Sequence, residues 1–409
     1  MCDNRKHQEK IKIVWICHFT NAEIQLKLPI WKKTDEMASW IPNLLKGFEN
    51  HEEIELHVVA PHEYLKKATR LSIRNIHYHF IPFGIPIWHR HWPGIFLFDI
   101  YTNYCYFRKN VRKKINQIRP DLINLIGAEN AYYSSAILDL KKEYKALISI
   151  QGFISQLNGE IKFSKVEKKK MDVEIDILRS FKYFAGEQDS STYISKYNSD
   201  HSFFKFYFPI NEVLAAQTKN KIAKYDCIYF GRLLKIKGVE DFIKVISVLK
   251  NTKPDVKACI IGAGDLITLH KQAKALNCEN NIDFIGFVRS QKELFDYLKS
   301  SKVFLAPPHQ ERLSSTIREA MYLRVPIVAY ATGGIPYINE FDENIYLVET
   351  GDYLEMARKT LLLLENEPLS NKLAEKAYNY SIKEYGQKVN CERLISAYHA
   401  IIKGNYESN

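Results

Sequence analysis

The sequence predicts an α/β protein made of two doubly wound, Rossmann-like domains facing each other across a cleft. Three observations predict it. Strand-type apolar runs alternate with helically spaced segments along the chain, which implies parallel strands joined by crossover helices. Several of those runs stop at Gly or Pro, as strands entering tight turns do. The length of 409 residues, at ~150 residues per domain, is enough for two separate cores.

The elements follow in order. Ile11–His18 is an apolar strand and Trp40–Phe48 a helix. Ile54–Ala60 alternates as a strand and stops at Pro61, and Ile76–Phe83 is another strand. Leu122–Ile126 runs from Arg119-Pro120 to Gly127, and Ala146–Gln151 ends at Gly152. Asn198–Ala223 is polar and aromatic without periodicity and reads as a junction. The second set opens with the strand Asp226–Phe230 before Gly231. A helix carries Val239, Phe242, Ile243, Ile246 and Leu249. Lys257–Ile261 ends at Gly262-Ala263-Gly264, and Ile282–Ile285 at Gly286. Leu294–Leu298 is helical, Val303–Ala306 a strand, Thr316–Leu323 a helix, Ile327–Tyr330 and Tyr346–Val348 strands. Leu354–Leu364 and Leu369–Tyr385 are terminal helices.

Composition excludes several classes. Hydrophobic residues at 46% and charged residues at 26% exclude disorder as the dominant state. The longest stretches without Asp, Glu, Lys or Arg, Asn75–His89 and Val325–Asn339, contain Pro and fall short of the ~20 apolar residues of a membrane span. The charged start MCDNRKHQEK is not the pattern of a signal peptide, and the expected location is the cytoplasm. Seven Cys are scattered without a C-x-x-C, so neither disulfides nor a zinc site is expected. The net charge of +11 favours anionic partners.

Three features of the second half point to one anionic ligand. Gly231-Arg232-Leu233-Leu234-Lys235-Ile236-Lys237-Gly238 follows a strand and opens a helix, so Arg232 and Lys237 add cations beside the positive end of a helix dipole. Glu311 lies in the loop after the strand Val303–Ala306, and Glu319 eight residues on, inside the next helix. Ser314, Ser315 and Thr316 stand at that helix start, where free N–H groups can hold a phosphate. Two carboxylates, which only accept hydrogen bonds when ionised, could grip the hydroxyls of a sugar and a ribose. Thr332-Gly333-Gly334-Ile335-Pro336 follows the strand Ile327–Tyr330, and its Gly pair permits close backbone approach to a ligand.

In their order and spacing these residues resemble the family 4 (group 1) retaining glycosyltransferases. The resemblance is carried by Phe230-Gly231-Arg232-Leu233, Lys237-Gly238-Val239, Ile261-Gly262-Ala263-Gly264-Asp265, Ile285-Gly286-Phe287-Val288, Glu311 with Glu319-Ala320-Met321, Pro326-Ile327-Val328-Ala329 and Gly333-Gly334-Ile335-Pro336. It covers residues 224–385 well and the first ~200 only loosely. It implies the GT-B fold, with an acceptor-side domain over 1–210, a nucleotide-sugar-binding domain over 211–385 and a C-terminal helix over 386–409 packing back on the first. It also implies a UDP- or GDP-linked donor whose diphosphate meets Arg232 and Lys237. Glu311 would contact the transferred sugar and Glu319 the ribose, and Gly286, Phe287 and Val288 would lie along the base. No cofactor and no metal is expected. The sequence departs from the family in four places. Arg312 and Arg324 stand where members usually have Gly, and Tyr337 where they often have Glu. Phe19–Glu36 lacks the usual Gly-rich turn.

Weaker candidates lie in the first half. His18 ends the first strand and Glu129 follows Ile126-Gly127-Ala128, which makes both acceptor-side candidates. Trp88, Trp92, Phe96, Phe98, Tyr101, Tyr104, Tyr106 and Phe107 precede Arg108, Lys109, Arg112, Lys113 and Lys114. The cations are expected on one helical face, and the composition suits an anionic membrane surface on the inner face of the plasma membrane. The competing reading is an amphipathic helix with its aromatics packed inward. No nucleic-acid motif accompanies the cluster. The expected acceptor is a lipid-linked or free saccharide. Two other readings stay open: a GT-B-like nucleotide-sugar epimerase, marked by sugar-nucleotide interconversion without an acceptor, and a non-catalytic sugar-nucleotide-binding assembly protein, marked by binding without turnover.

Overall fold

Ile11–Ile16 (β1), with Ile13, Val14, Trp15 and Ile16 all buried, lies in the interior of a parallel sheet, where a strand covered on both faces must be apolar throughout. The computed structural model describes residues 10–18, 22–30, 40–49, 51–62, 64–65, 67–82, 98–157, 162–219 and 222–404. These divide into two units, Met1–Phe208 with Asn390–Asn409, and Pro209–Val389.

Among the described residues the first unit holds β1, β2 (Ile54–His62), β3 (Thr69–Ile73), β4 (Ile76–Pro82), β5 (Leu122–Ile126), β6 (Ala146–Ser149), β7 (Tyr183–Gly186) and β8 (Ser202–Lys205). They form one sheet in the order β3-β4-β2-β1-β5-β6-β7-β8. All pairings are parallel except the hairpin of β3 with β4. One face buries Ile13, Trp15, Leu56, Val58 and Phe80 against Ile41, Leu44 and Phe48 and against Leu394, Tyr398 and Ile401 of the helix Gln387–Lys403. Polar groups on this face pair internally. Trp15 Nε1 and Asn124 Nδ2 both donate to the Tyr398 hydroxyl, at 2.9 and 2.8 Å, and Ser149 Oγ donates to Asn124 Oδ1 at 2.8 Å. The last helix is thereby tied to the sheet without an unsatisfied buried group at these atoms. The other face buries Val14, Ile16, Val59, Leu125 and Ile148 under the helices Cys105–Ile118 and Lys165–Ser180.

The second unit is a fully parallel sheet of β9 (Tyr225–Phe230), β10 (Ala258–Ile261), β11 (Ile282–Gly286), β12 (Ser301–Ala306), β13 (Ile327–Tyr330) and β14 (Tyr346–Val348), in the order β11-β10-β9-β12-β13-β14. Because every strand runs the same way, the loops after β9 to β13 emerge along one sheet edge, where open α/β sheets bind ligands.

The structure departs from the sequence reading in some elements and adds detail in others. The strands β3, β7 and β8 escaped the sequence reading. Each is short, and β3 and β8 have half-exposed, partly polar faces, which blurs the period-2 signal. The segment 198–223, read as irregular, contains β8 and the helix Glu212–Gln217. The Lys-rich tract after Ser164 is helical, nucleated by a capping box in which Ser164 Oγ accepts from Glu167 N and Glu167 Oε2 accepts from Ser164 N. In the helix Cys105–Ile118 the five cations do not form a free cationic face. Arg108 is paired with Asp139 and Arg112 with Glu143, while Lys109 and Lys113 are exposed. Tyr104 and Phe107 are buried, and Tyr101 and Tyr106 exposed. Trp88, Trp92, Phe96 and the Phe98 side chain lie outside the described residues.

Candidate functional site

The site begins at the turn after β9. The Tyr229 hydroxyl donates to the carbonyls of Arg232 and Lys237, at 2.9 and 3.2 Å, and so holds both ends of the loop. Gly238 then heads the helix Val239–Thr252 with φ 75°. A Cβ there would stand 1.6 Å from the Pro307 carbonyl oxygen, so only glycine fits this approach. The loop after β12 locks onto the same turn, with His309 N donating to Ile236 O at 3.0 Å. These contacts bring Lys237 Nζ to 2.8 Å from Glu311 Oε2, with both side chains mostly buried. The two residues assigned to diphosphate and sugar are thus direct partners. Arg232 stands exposed at the start of the loop.

Behind the loop that carries this pair stands a buried carboxylate that sequence reasoning missed. The buried Asp241 lies on the first turn of the helix behind Gly238. It accepts from the Tyr330 hydroxyl at 3.1 Å, pairs with Lys244 at 2.8 Å and faces His309 Nε2 at 2.9 Å. Its buried charge is therefore matched from three sides, as a buried carboxylate requires. Asp241 looks in sequence like an ordinary dipole-complementing residue of a first helical turn.

The Gly333-Gly334 pair packs against the Glu311 loop. A Cβ on Gly333, at φ 56°, would lie 1.6 Å from the Glu311 carbonyl oxygen, and one on Gly334 would lie 3.3 Å from Leu313 N. The close approach these glycines permit is to the backbone of the Glu311 loop itself. They fix where Glu311 stands.

The helix Ser315–Tyr322 carries the second carboxylate. Ser314 is its N-cap; its Oγ accepts from Thr316 N at 3.3 Å and bonds Thr316 Oγ1 at 2.7 Å. Ser315 is exposed beside them. Glu319, one turn in, is 7% exposed and accepts from Gln291 Nε2 at 3.0 Å. Burial raises its pKa to about 7, against the pull of the Gln291 hydrogen bond and the Arg318 charge. Gln291 opens the helix after β11 and accepts from Asn211 Nδ2 at 3.3 Å. At the end of β11, Gly286 turns the chain with φ 78°, Phe287 is 66% exposed and Val288 is half-buried. A large exposed aromatic at a strand end offers a flat apolar surface. Two of the positions that depart from the family pattern have defined surroundings. Arg324 holds φ 54°, the conformation that favours glycine, while its guanidinium pairs with Glu375 at 2.8 Å and lies 3.3 Å over the Tyr378 ring. Tyr337 is part of the turn Ile335–Asn339, its carbonyl accepting from the Tyr380 hydroxyl at 3.1 Å.

In the first unit, His18 and Glu129 follow the ends of the adjacent strands β1 and β5. His18 Nδ1 meets the Tyr132 hydroxyl, and burial, with the nearby His62, lowers the His18 pKa to about 4. Glu129 Oε1 accepts from Asn130 Nδ2 at 3.0 Å. A neutral imidazole, a tyrosine and a carboxylate collect at this edge.

A family model described as glycosyl transferases group 1 matches residues 212–380. An uncharacterised glycosyltransferase of Haemophilus influenzae is 32% identical over 189 residues, covering 45% of this chain and 51% of that protein. The capsular polysaccharide biosynthesis glycosyltransferase CapM of Staphylococcus aureus is 23% identical over 176 residues, covering 43% and 46%. The chain thus spans about half the length of the curated relatives it matches. Among solved structures, Anabaena HepE in complex with UDP-glucose superposes with a TM-score of 0.64 at 15% identity, over 95% of this chain and 99% of HepE. That likeness shows the fold, and the two Rossmann-like sheets are those of GT-B proteins. The match over 212–380 contains the Lys237–Glu311 pair and Glu319, and the relatives that this chain resembles are glycosyltransferases.

Proposed function

We propose that this protein is a retaining hexosyltransferase of the family 4 type. It moves a sugar from a UDP- or GDP-linked donor to a sugar hydroxyl in cell-surface polysaccharide synthesis, whether capsule, O-antigen or exopolysaccharide. The observation that carries the reading is the Lys237–Glu311 pair at 2.8 Å, held at the end of the parallel strands by Gly238 and Gly333. A cation and a carboxylate fixed side by side suit a bond that breaks between an anionic phosphate and a sugar carbon gaining positive charge.

Arg232, Lys237 and the helix-start amides near Ser314, Ser315 and Thr316 stabilise the departing diphosphate. Glu311 faces the sugar as positive character develops at its anomeric carbon. Glu319 accepts from the ribose hydroxyls, and Phe287 lies along the base between Gly286 and Val288. The acceptor oxygen attacks from the side the diphosphate leaves, and a phosphate oxygen takes its proton. No protein base is then needed, and the cations and amides supply the charge that a metal would supply. His18 and Glu129 are assigned to the acceptor side. CapM's name and HepE's bound UDP-glucose support a polysaccharide acceptor and a nucleotide-sugar donor. The protein works in the cytoplasm, at the inner face of the plasma membrane, where Lys109 and Lys113 meet anionic lipid. Among the described residues no helix is long and apolar enough to cross a membrane.

The test is a transfer assay with a panel of nucleotide sugars and saccharide acceptors, with excess chelator, and NMR assignment of the product anomer. Chelator-resistant transfer with the donor's anomeric configuration is expected. An inverted product, or turnover only with added divalent metal, overturns the mechanism. Epimerised donor without acceptor overturns the reaction class.

A further inference from the structure

The first unit carries a cluster that the transfer reaction does not use. Glu55 and His57 are two residues apart on β2, and His77 on β4 is the register partner of His57 in this parallel pair. Alternation therefore sets all three side chains on one face of the sheet. One ligand atom from each lies within 4.8 Å of the others. His57 is buried, and Glu55 and His77 are half-buried. From this we infer that Glu55, His57 and His77 form a binding site for a divalent transition metal, with zinc, cobalt or nickel as its ion.

The surroundings of the two imidazoles carry the inference further than proximity does. His57 Nδ1 bonds His79 Nε2 at 3.0 Å, and His77 Nδ1 bonds Ser72 Oγ at 2.8 Å. Each ring is thus held through Nδ1 and keeps Nε2 for another partner. Metal-binding histidines are arranged this way, with the second nitrogen oriented by an outer group. His57 Nε2 already faces Glu55 Oε1 at 2.7 Å, so two of the three ligand atoms stand side by side. Three protein ligands of this kind leave a fourth position for water.

The ion's identity follows from the donor atoms and the neighbouring charges. Two imidazoles and one carboxylate suit the borderline ions, whereas calcium and magnesium seek oxygen-rich sites. Lys12, the register partner of Glu55, acts on the cluster, and so do Arg70, the register partner of His79, and Lys114 of the covering helix. Those cations oppose purely electrostatic ligation and leave the nitrogen–metal bond as the main attraction. The ion would bridge β2 and β4, so its effect is on the stability of this unit and not on the transfer step.

The full chain, stripped of metal by a chelator and dialysed, is titrated with zinc and cobalt ions at pH 7.5. Saturable binding of one ion is expected, with visible cobalt absorption bands. The zinc-bound form should melt ~5 °C or more higher at 100-fold excess over Kd, and magnesium should not raise the melting point. Glu55→Gln and His77→Gln should each weaken binding by ~10-fold or more, because losing a ligand costs at least what losing an outer-shell partner does. Both variants should melt with the metal-free wild type. The wild type gives a separate readout, since zinc should shift the ring nitrogens of His57 and His77 in 15N NMR. A wild type that takes up no ion overturns the inference. So does unchanged affinity in His77→Gln, or ring shifts at other histidines only.

Discussion

Replacing Glu319 by Gln should make the protein more stable at and above neutral pH. Burial raises this carboxyl from 4.5 to about 7, so the folded chain holds a proton that the unfolded chain releases. A group raised in this way contributes its full stability below pH 4.5. The contribution falls as pH rises through the window from 4.5 to about 7, and it is gone above that. Each pH unit across the window is worth ~1.4 kcal/mol, so ionisation of Glu319 costs about 3 kcal/mol by pH 8. Gln has no proton to lose, and its amide oxygen can still accept from Gln291 Nε2, the contact now at 3.0 Å. The assay is urea unfolding of wild type and Glu319→Gln at pH 5, 6, 7 and 8. Taking the difference between the two cancels the other titrating groups. The variant should gain little at pH 5 and ~2–3 kcal/mol at pH 8. Equal pH dependence in both proteins, or a variant less stable at pH 8, would refute the reasoning. If Glu319 accepts from ribose hydroxyls, nucleotide binding favours the ionised form and should release protons near pH 6.5. Calorimetry in two buffers of different ionisation enthalpy reads that release.

Gly333→Ala should displace the Glu311 loop, since its Cβ would stand 1.6 Å from the Glu311 carbonyl oxygen; a loss of ~1–3 kcal/mol and weaker nucleotide binding are expected. Gly351→Ala, at φ 93° with open space around it, is the control, and equal effects in both would leave only backbone strain. Arg232→Ala and Lys237→Ala should each cost ~1.5–3 kcal/mol in nucleoside-diphosphate affinity and spare the free nucleoside, whereas equal losses for both ligands would remove them from the phosphate. In transfer kinetics Glu311→Gln should lower kcat more than it raises KM, and Glu319→Gln the reverse; wild-type turnover in both removes the pair from the site. Reversing Lys109 and Lys113 to Glu should weaken adsorption to anionic vesicles, given ~1 kcal/mol per basic residue. Reversing Arg108 and Arg112 should instead lower the melting point, because Asp139 and Glu143 would lose their partners.

What the chain wrote locally was legible without coordinates. The strands Leu122–Ile126 and Ile327–Tyr330 and the helix Trp40–Phe48 have the same limits in sequence and structure, because burial on a sheet or helix face selects a period that can be read along the chain. The loops holding Arg232, Lys237 and Glu311 were legible too, since each follows a strand end at a Gly or Pro, and so was the helix that carries Glu319. Tertiary structure alone decided which atoms those residues meet. Gly333 serves the Glu311 carbonyl from another strand's loop, Asp241 stands behind His309, and Gln291 reaches Glu319 from the helix after β11. Glu55, His57 and His77 are the clearest case, because the register of β2 against β4 places His77 opposite His57 across 20 positions of chain. Register between strands, and the burial that raises Glu319, depend on packing among segments far apart in sequence. No local pattern encodes that packing, because the free energy that selects it arises only when those segments meet.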